Sequence, residues 1–215
     1  YRVVADTGST DETIALLRAE QVTVHSISIQ PWRFDHARNA ALALVPADAD
    51  ICITLDMDEV LKPGWRAEIE AAWEEGVPDP NPQLRANTGG RISNLTPNHQ
   101  PTRMRYRYIW NWSPAGDPLT EFRADRTHAR HGYTWKHPVH ETLYRTDGQP
   151  ERYAETTMEI HHHADNSKAR TSYLPLLKLS VEEDPANDRN AHYYARELMM
   201  YGQYAEAAQE FRRHL

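Results

Sequence analysis

The stretch Ile51-Cys52-Ile53-Thr54-Leu55-Asp56-Met57-Asp58-Glu59-Val60 decides the fold. Its β-branched and apolar opening reads as a strand from Ile51 to Leu55 buried on both faces, and it ends abruptly in three acids within four positions. Open α/β sheets bind ligands at the carboxyl ends of such strands. Asp56 and Asp58 are two apart, so the chain must turn for both to reach one small object. A divalent cation carrying a diphosphate meets that demand, because Mg²⁺ or Mn²⁺ takes hard oxygens from one or two carboxylates and fills other positions with substrate phosphates. The competing reading is an acidic N-cap for the helix that starts near Pro63.

Upstream, Val3 to Ala5 form a short strand that closes on Asp6-Thr7-Gly8-Ser9-Thr10-Asp11-Glu12-Thr13. Gly8 supplies the turn, and Ser9 with Glu12 three residues on reads as a capping box for a helix carrying Ile14 and Leu17. Gln21 to Ile29 is the next expected strand, and Asp35 is expected to cap a helix that runs to Leu44. With the Ile51 strand the first half reads β-α-β-α-β-α, the order that gives a parallel sheet with right-handed crossovers. After Pro63, Trp65, Ile69, Ala72 and Trp73 make an apolar stripe at helical spacing.

Downstream, five prolines and Gly89-Gly90 between Val77 and Pro101 predict loops, with at most a short strand at Gly90 to Ser93. From Thr102 to Trp112, Met104, Tyr106, Tyr108, Trp110 and Trp112 alternate with Arg103, Arg105 and Arg107, a half-buried strand with a basic face. Those arginines either face solvent or meet a diphosphate. Further strands are expected over Glu121 to Arg130 and Arg152 to His163. Beyond them three helices follow, broken at Asp184-Pro185 and at Gly202, and the last has the Gly-x-Tyr-x-x-Ala-Ala-x-x-Phe spacing of half a tetratricopeptide unit.

A chain of 215 residues with 40% hydrophobic and 26% charged residues can bury a real core. Its net charge of −7 argues against nucleic acid as the main partner, since counterion release needs a basic face. No window approaches the ~18 apolar residues of a membrane span. Cys52 is alone, so there is no disulfide framework, and a reducing, cytoplasmic setting is expected.

Three segments in order, Val3 to Thr13, Phe34-Asp35-His36-Ala37-Arg38-Asn39 and Leu55 to Glu59, together resemble the family 2 glycosyltransferases of the GT-A fold. His140-Glu141 and the late histidines extend the likeness to about residue 165. It implies an α/β, Rossmann-like mixed sheet flanked by helices over 1–165, with the family's first strand expected before Tyr1, and a small all-helical extension over 166–215. It also implies an inverting hexosyltransferase that takes its sugar from a nucleoside-diphosphate donor, a UDP-sugar first among them, with Mn²⁺ or Mg²⁺ as cofactor. The acceptor would be a glycan, a protein or a small molecule.

Carried over to this sequence, Asp6 would hold the base or ribose, with turn capping as its other reading. Arg38 would contact diphosphate or ribose, or sit on the surface of its helix. Asp58 would ligate the metal, and Asp56 would be shared between ribose and metal. A late histidine would be a further metal ligand, one of His161, His162 and His163, and the spacing to Asp165 and Lys168 in similar sequences points to His162. Glu141 would be the base that takes the acceptor proton, or merely the partner of an arginine. Trp135 and His137 would wall the acceptor pocket. The rival readings are a nucleotidyltransferase on a similar sheet and an inactive sugar-nucleotide-binding module whose helical tail recruits a partner.

Overall fold

In the computed structural model, which describes residues 1–77, 100–164 and 173–213, the chain runs β1 (Val3–Asp6), α1 (Thr13–Ala19), β2 (Thr23–Ser26), α2 (Phe34–Leu44), β3 (Ile51–Ile53), β4 (Glu59–Leu61) and α3 (Trp65–Glu75). It continues through β5 (Arg103–Trp112), β6 (Pro118–Ala129), β7 (Tyr133–Lys136), β8 (Thr142–Arg145) and β9 (Tyr153–His162). Helices α4 (Leu174–Glu183), α5 (Asp188–Met200) and α6 (Tyr204–Arg213) complete it. The chain is mixed α/β and divides into two compact units, one of Tyr1–Ala47, Thr134–Tyr144 and Ala169–Leu215, the other of Asp48–Tyr133 and Arg145–Lys168. The segment from Val77 to Pro101 read as loops, with its short strand, falls almost wholly outside the described residues.

The second unit is built on a five-stranded sheet in the order β3-β6-β5-β9-β4. β5 and β9 run parallel, and the other neighbours run antiparallel, so the sheet is mixed. Alternation along β5 buries Met104, Tyr106 and Tyr108, which join Ala154, Met158 and Ile160 of β9 in one apolar cluster. The expected stripe of α3, Trp65, Ile69, Ala72 and Trp73, packs onto that cluster. The basic face of β5 is neutralised from its neighbours: Arg107 pairs with Glu121 and Glu159, Arg105 with Glu155, and Arg103 with Asp125. Arg105 and Arg107 are partly exposed cross-strand partners of acids, as in the solvent-facing reading, whereas Arg103 is buried.

Two expectations about the first half need correction. β3 stops at Ile53, two residues early, and pairs antiparallel with β6 through Ile51↔Ala129 and Ile53↔Thr127, not parallel with β1 or β2. A three-residue strand gives the sequence no handle on its partner; Leu55 is already 38% exposed. The Ser9–Glu12 capping box does not form. α1 begins at Thr13 with no side-chain cap from Glu12, because Ser9 donates its N–H to Asp6 and Asp11 takes the Thr13 N–H at 3.0 Å.

In the first unit β1 and β2 pair in parallel from Val3↔Thr23 to Asp6↔Ser26. α2 spans the residues expected of it, though Asp35 lies one place inside its start, where it is buried and bonded to Arg33. Arg33 also reaches Glu183 at the end of α4, tying the second helix to the last three. Asn187 caps α5 by accepting the Asn190 N–H at 3.1 Å. No described helix is long and apolar enough to cross a membrane.

Candidate functional site

The turn from Leu55 to Asp58 is organised by the residue after it. Glu59 opens β4 with its side chain 1% exposed, and its carboxylate accepts from the Asp56 N–H at 2.9 Å, the Tyr108 hydroxyl at 2.6 Å and the Arg126 guanidinium. Burying a carboxylate costs several kcal/mol unless charge and hydrogen bonds offset it, and here both are present. Burial, with Glu59 beside it, pushes the Tyr108 hydroxyl well above its usual range, so it stays a donor. Arg126 also donates to Asp56 Oδ2 at 3.0 Å. One acid of the Asp-x-Asp pair is therefore held by the protein.

The other acid faces the late histidines. Asp58 Oδ2 lies 3.3 Å from His162 Nε2. His162 Nδ1 is 2.8 Å from the Trp110 carbonyl, and since a carbonyl only accepts, Nδ1 carries a proton and Nε2 is the atom turned to Asp58. A ring nitrogen fixed by a backbone carbonyl is the usual outer support of a metal-binding histidine. The His163 N–H donates to the Asp58 carbonyl at 2.8 Å, and Trp112 Nε1 donates to the His162 carbonyl at 3.0 Å. Trp110 covers the His162 ring at 4.4 Å and 13°.

An octahedral cation with ligands at about 2.1 Å holds neighbouring donors about 3 Å apart, so the observed separation suits two adjacent positions of one ion. Among the described residues no group of three or more His, Cys, Asp or Glu side chains converges as a ready ligand set, so this is a pair. A cation bound there would take its other ligands from substrate oxygens and water, the ordinary state of Mg²⁺ in phosphate sites. His161 points to a different task. It meets Glu159 at 3.1 Å, and that hydrogen bond, with Arg107 and Lys62, holds the Glu159 carboxyl down to about 2.

In the first unit, Asp6 ends β1 and accepts the Gly8 N–H at 3.1 Å and the Ser9 N–H at 3.2 Å. Hydrogen bonding from Ser9, then Gly8, keeps its carboxyl below the usual range. Gly8 takes φ +122°, which a side chain would resist, so Gly8 keeps the loop shape that brings these N–H groups to Asp6. Arg38 and Glu141 meet as an ion pair with side chains 16% and 10% exposed, and the Arg38 guanidinium lies 5.0 Å over the Trp135 ring. Trp135 is buried, and His137 is bonded to Tyr144 and Asn190.

Sequence reasoning assigned Asn39 no role, yet it grips β7 like a neighbouring strand. It donates to the Trp135 carbonyl at 2.8 Å and accepts the Trp135 N–H at 2.8 Å. The Arg38-Asn39 pair thus clamps the segment that carries Glu141. The same segment has His137 at φ +83° and His140 at φ +52°, left-handed conformations that the surroundings must impose. α5 supplies that constraint: Arg189 donates to the His140 carbonyl at 2.6 Å, Asn190 to His137 at 3.1 Å, and Tyr193 stacks on His140 at 4.0 Å. Glu59, Tyr108, Arg126 and Asn190 were also missed by sequence reasoning, because their partners stand tens of residues away.

No family model matches the chain, and no curated protein matches it significantly.

Proposed function

We propose that the chain is an inverting, metal-dependent glycosyltransferase with a GT-A-like fold, similar to family 2, moving a sugar from a nucleoside-diphosphate donor to a hydroxyl-bearing acceptor. The observation that carries the reading is the Asp58–His162 pair, 3.3 Å apart, with the imidazole locked by the Trp110 carbonyl. Mn²⁺ or Mg²⁺ bound to that pair would neutralise charge on the departing diphosphate. Arg126 fixes Asp56 beside it and leaves that carboxylate 44% exposed, open to a ribose hydroxyl. The roles of Asp6 in nucleotide binding and of Glu141 in taking the acceptor proton rest on the likeness of their motifs; Arg38 and Asn39 orient the Glu141 segment.

Thermal melting with UDP-, GDP- and dTDP-sugars and Mn²⁺ tests this. A donor at about 100 times its dissociation constant adds about 2.7 kcal/mol, and Asp58→Asn should abolish the part that depends on metal. Absence of any shift with every nucleotide overturns the proposal. Release of pyrophosphate from a nucleoside triphosphate would instead identify a nucleotidyltransferase.

A further inference from the structure

An aromatic surface adjoins the Asp58–His162 pair within the second unit. Phe122 lies 5.1 Å from Tyr108 at 32°, Tyr108 lies 6.2 Å from Trp110 at 34°, and Trp110 stacks on His162. Tyr108 and Phe122 are a cross-strand pair, and the Tyr108 ring neighbours both Phe122 and Trp110. Tyr108 is buried, but Trp110 and Phe122 are each 49% exposed, Phe122 on the stretch of β6 that β3 does not reach. Large aromatics in one contiguous patch, with carboxylates at its end, mark a ligand surface rather than scattered exposure.

We propose that Trp110 and Phe122 form a stacking platform for a neutral pyranose ring, the acceptor saccharide of the proposed transfer, and this assignment rests on that reading for the word acceptor only. A pyranose offers a C–H face to an aromatic ring and hydroxyl donors at its rim. Asp58 turns Oδ2 to His162, and the rest of its carboxylate, on a side chain 40% exposed, is an acceptor suited to those hydroxyls. The acidic end of the surface opposes a polyanion, and an apolar protein segment would strip Asp58 of water without supplying donors. A neutral polyol satisfies both halves of the surface.

Saturation-transfer NMR on the full chain, without nucleotide or metal, with cello-, malto- and chito-oligosaccharides tests the platform. Transfer to ring C–H protons of at least one sugar is expected. Trp110→Ala and Phe122→Ala should each weaken binding at least about tenfold without lowering the melting temperature, and Trp110→Phe should retain most of it. No transfer from any of the three, or equal binding by both alanine variants, overturns the platform. The nucleotide-induced thermal shift should be the same in Phe122→Ala and wild type; its loss there would mean that the rings stack a nucleobase, and the saccharide assignment falls. Saccharide binding with no nucleotide response would keep the platform and overturn the transferase.

Discussion

Arg126 donates at once to Asp56, at 3.0 Å, and to Glu59, so a single guanidinium spans the first acid of the Asp-x-Asp pair and the buried acid that follows it. The turn is therefore charged on both sides of Asp58 but compensated on each. Asp58 is left to His162, which gives the turn one protein-held carboxylate and one that faces an imidazole.

Glu59→Gln should unsettle the turn. Glu59 takes the Tyr108 hydroxyl on Oε1 and the Asp56 N–H on Oε2, so the single oxygen of glutamine serves only one of them, and the charge that faces Arg126 is lost. Breaking a buried pair on one side costs roughly 3 kcal/mol, or about 6–12 °C in melting temperature for a chain of this size. Urea melts of Glu59→Gln against Glu70→Gln, whose acid sits on the exposed surface of α3, check it. Equal stabilities would show that Glu59 does not hold the turn.

His128 makes the fold sensitive to acid. It is wholly buried, Nδ1 donates to the Ala129 carbonyl at 2.7 Å, and Nε2 has no partner. Burial pushes its pKa down from 6.5 to about 4. The unfolded chain takes a proton below 6.5 while the folded one does not until about 4, so the stabilisation is complete above pH 6.5 and is lost as pH falls through that window. The loss should approach about 1.4 kcal/mol per pH unit there. His128→Phe should flatten the slope of stability against pH by one proton's worth; an unchanged slope refutes the assignment.

The parts of this fold that were legible share one property, a period long enough to read. The stripe Trp65, Ile69, Ala72, Trp73 and the alternation Met104, Tyr106, Tyr108 each repeat over several turns or pleats, and both emerged as expected. β3 and β4 have three residues each, too few for a period, and their partners β6 and β9 come far later in the chain. Glu59 illustrates the same limit at the site. An acid in a sequence looks solvated, and only Tyr108 and Arg126, 49 and 67 residues away, make it a buried hub. Asp58, His162, Arg38 and Glu141 could all be singled out by motif, but which arginine would pair with Glu141 could not, because Arg38 lies 103 residues away.

Asn190 should be worth more than its place in α5 suggests. It is 2% exposed and donates both to the Ser180 carbonyl at 3.2 Å and to His137 Nδ1 at 3.1 Å. Asn190→Ala leaves His137 Nδ1 without its donor and the Ser180 carbonyl with the Asp184 N–H alone, and should cost about 2 kcal/mol. Asn187→Ala removes the helix cap and a bond to Asp184 but leaves His137 its donor, at about 1 kcal/mol. Hydrogen exchange of the segment from His137 to Glu141 should rise in Asn190→Ala and stay near wild type in Asn187→Ala. The same exchange in both would mean that Asn190 holds only the helices.

Glu141 admits two roles that one comparison can divide. As the partner of Arg38 it is a structural anchor, and as a base it must turn over donor. Glu141→Gln keeps an oxygen toward the Arg38 Nε that bonds Glu141 Oε1, so the segment should stay in place at a cost of about 1–3 kcal/mol, while an amide cannot accept a proton. Arg38→Lys has the opposite profile. It preserves charge and leaves the carboxylate intact, but loses the planar contact over Trp135 and the fixed orientation of the guanidinium. If Glu141 is the base, glutamine should lower transfer by a factor on the order of 10²–10⁴ with the nucleotide thermal shift unchanged, and Arg38→Lys should lower it far less. Transfer that survives in Glu141→Gln, together with a comparable loss of stability in both variants, would leave Glu141 as an anchor and place the base on another residue.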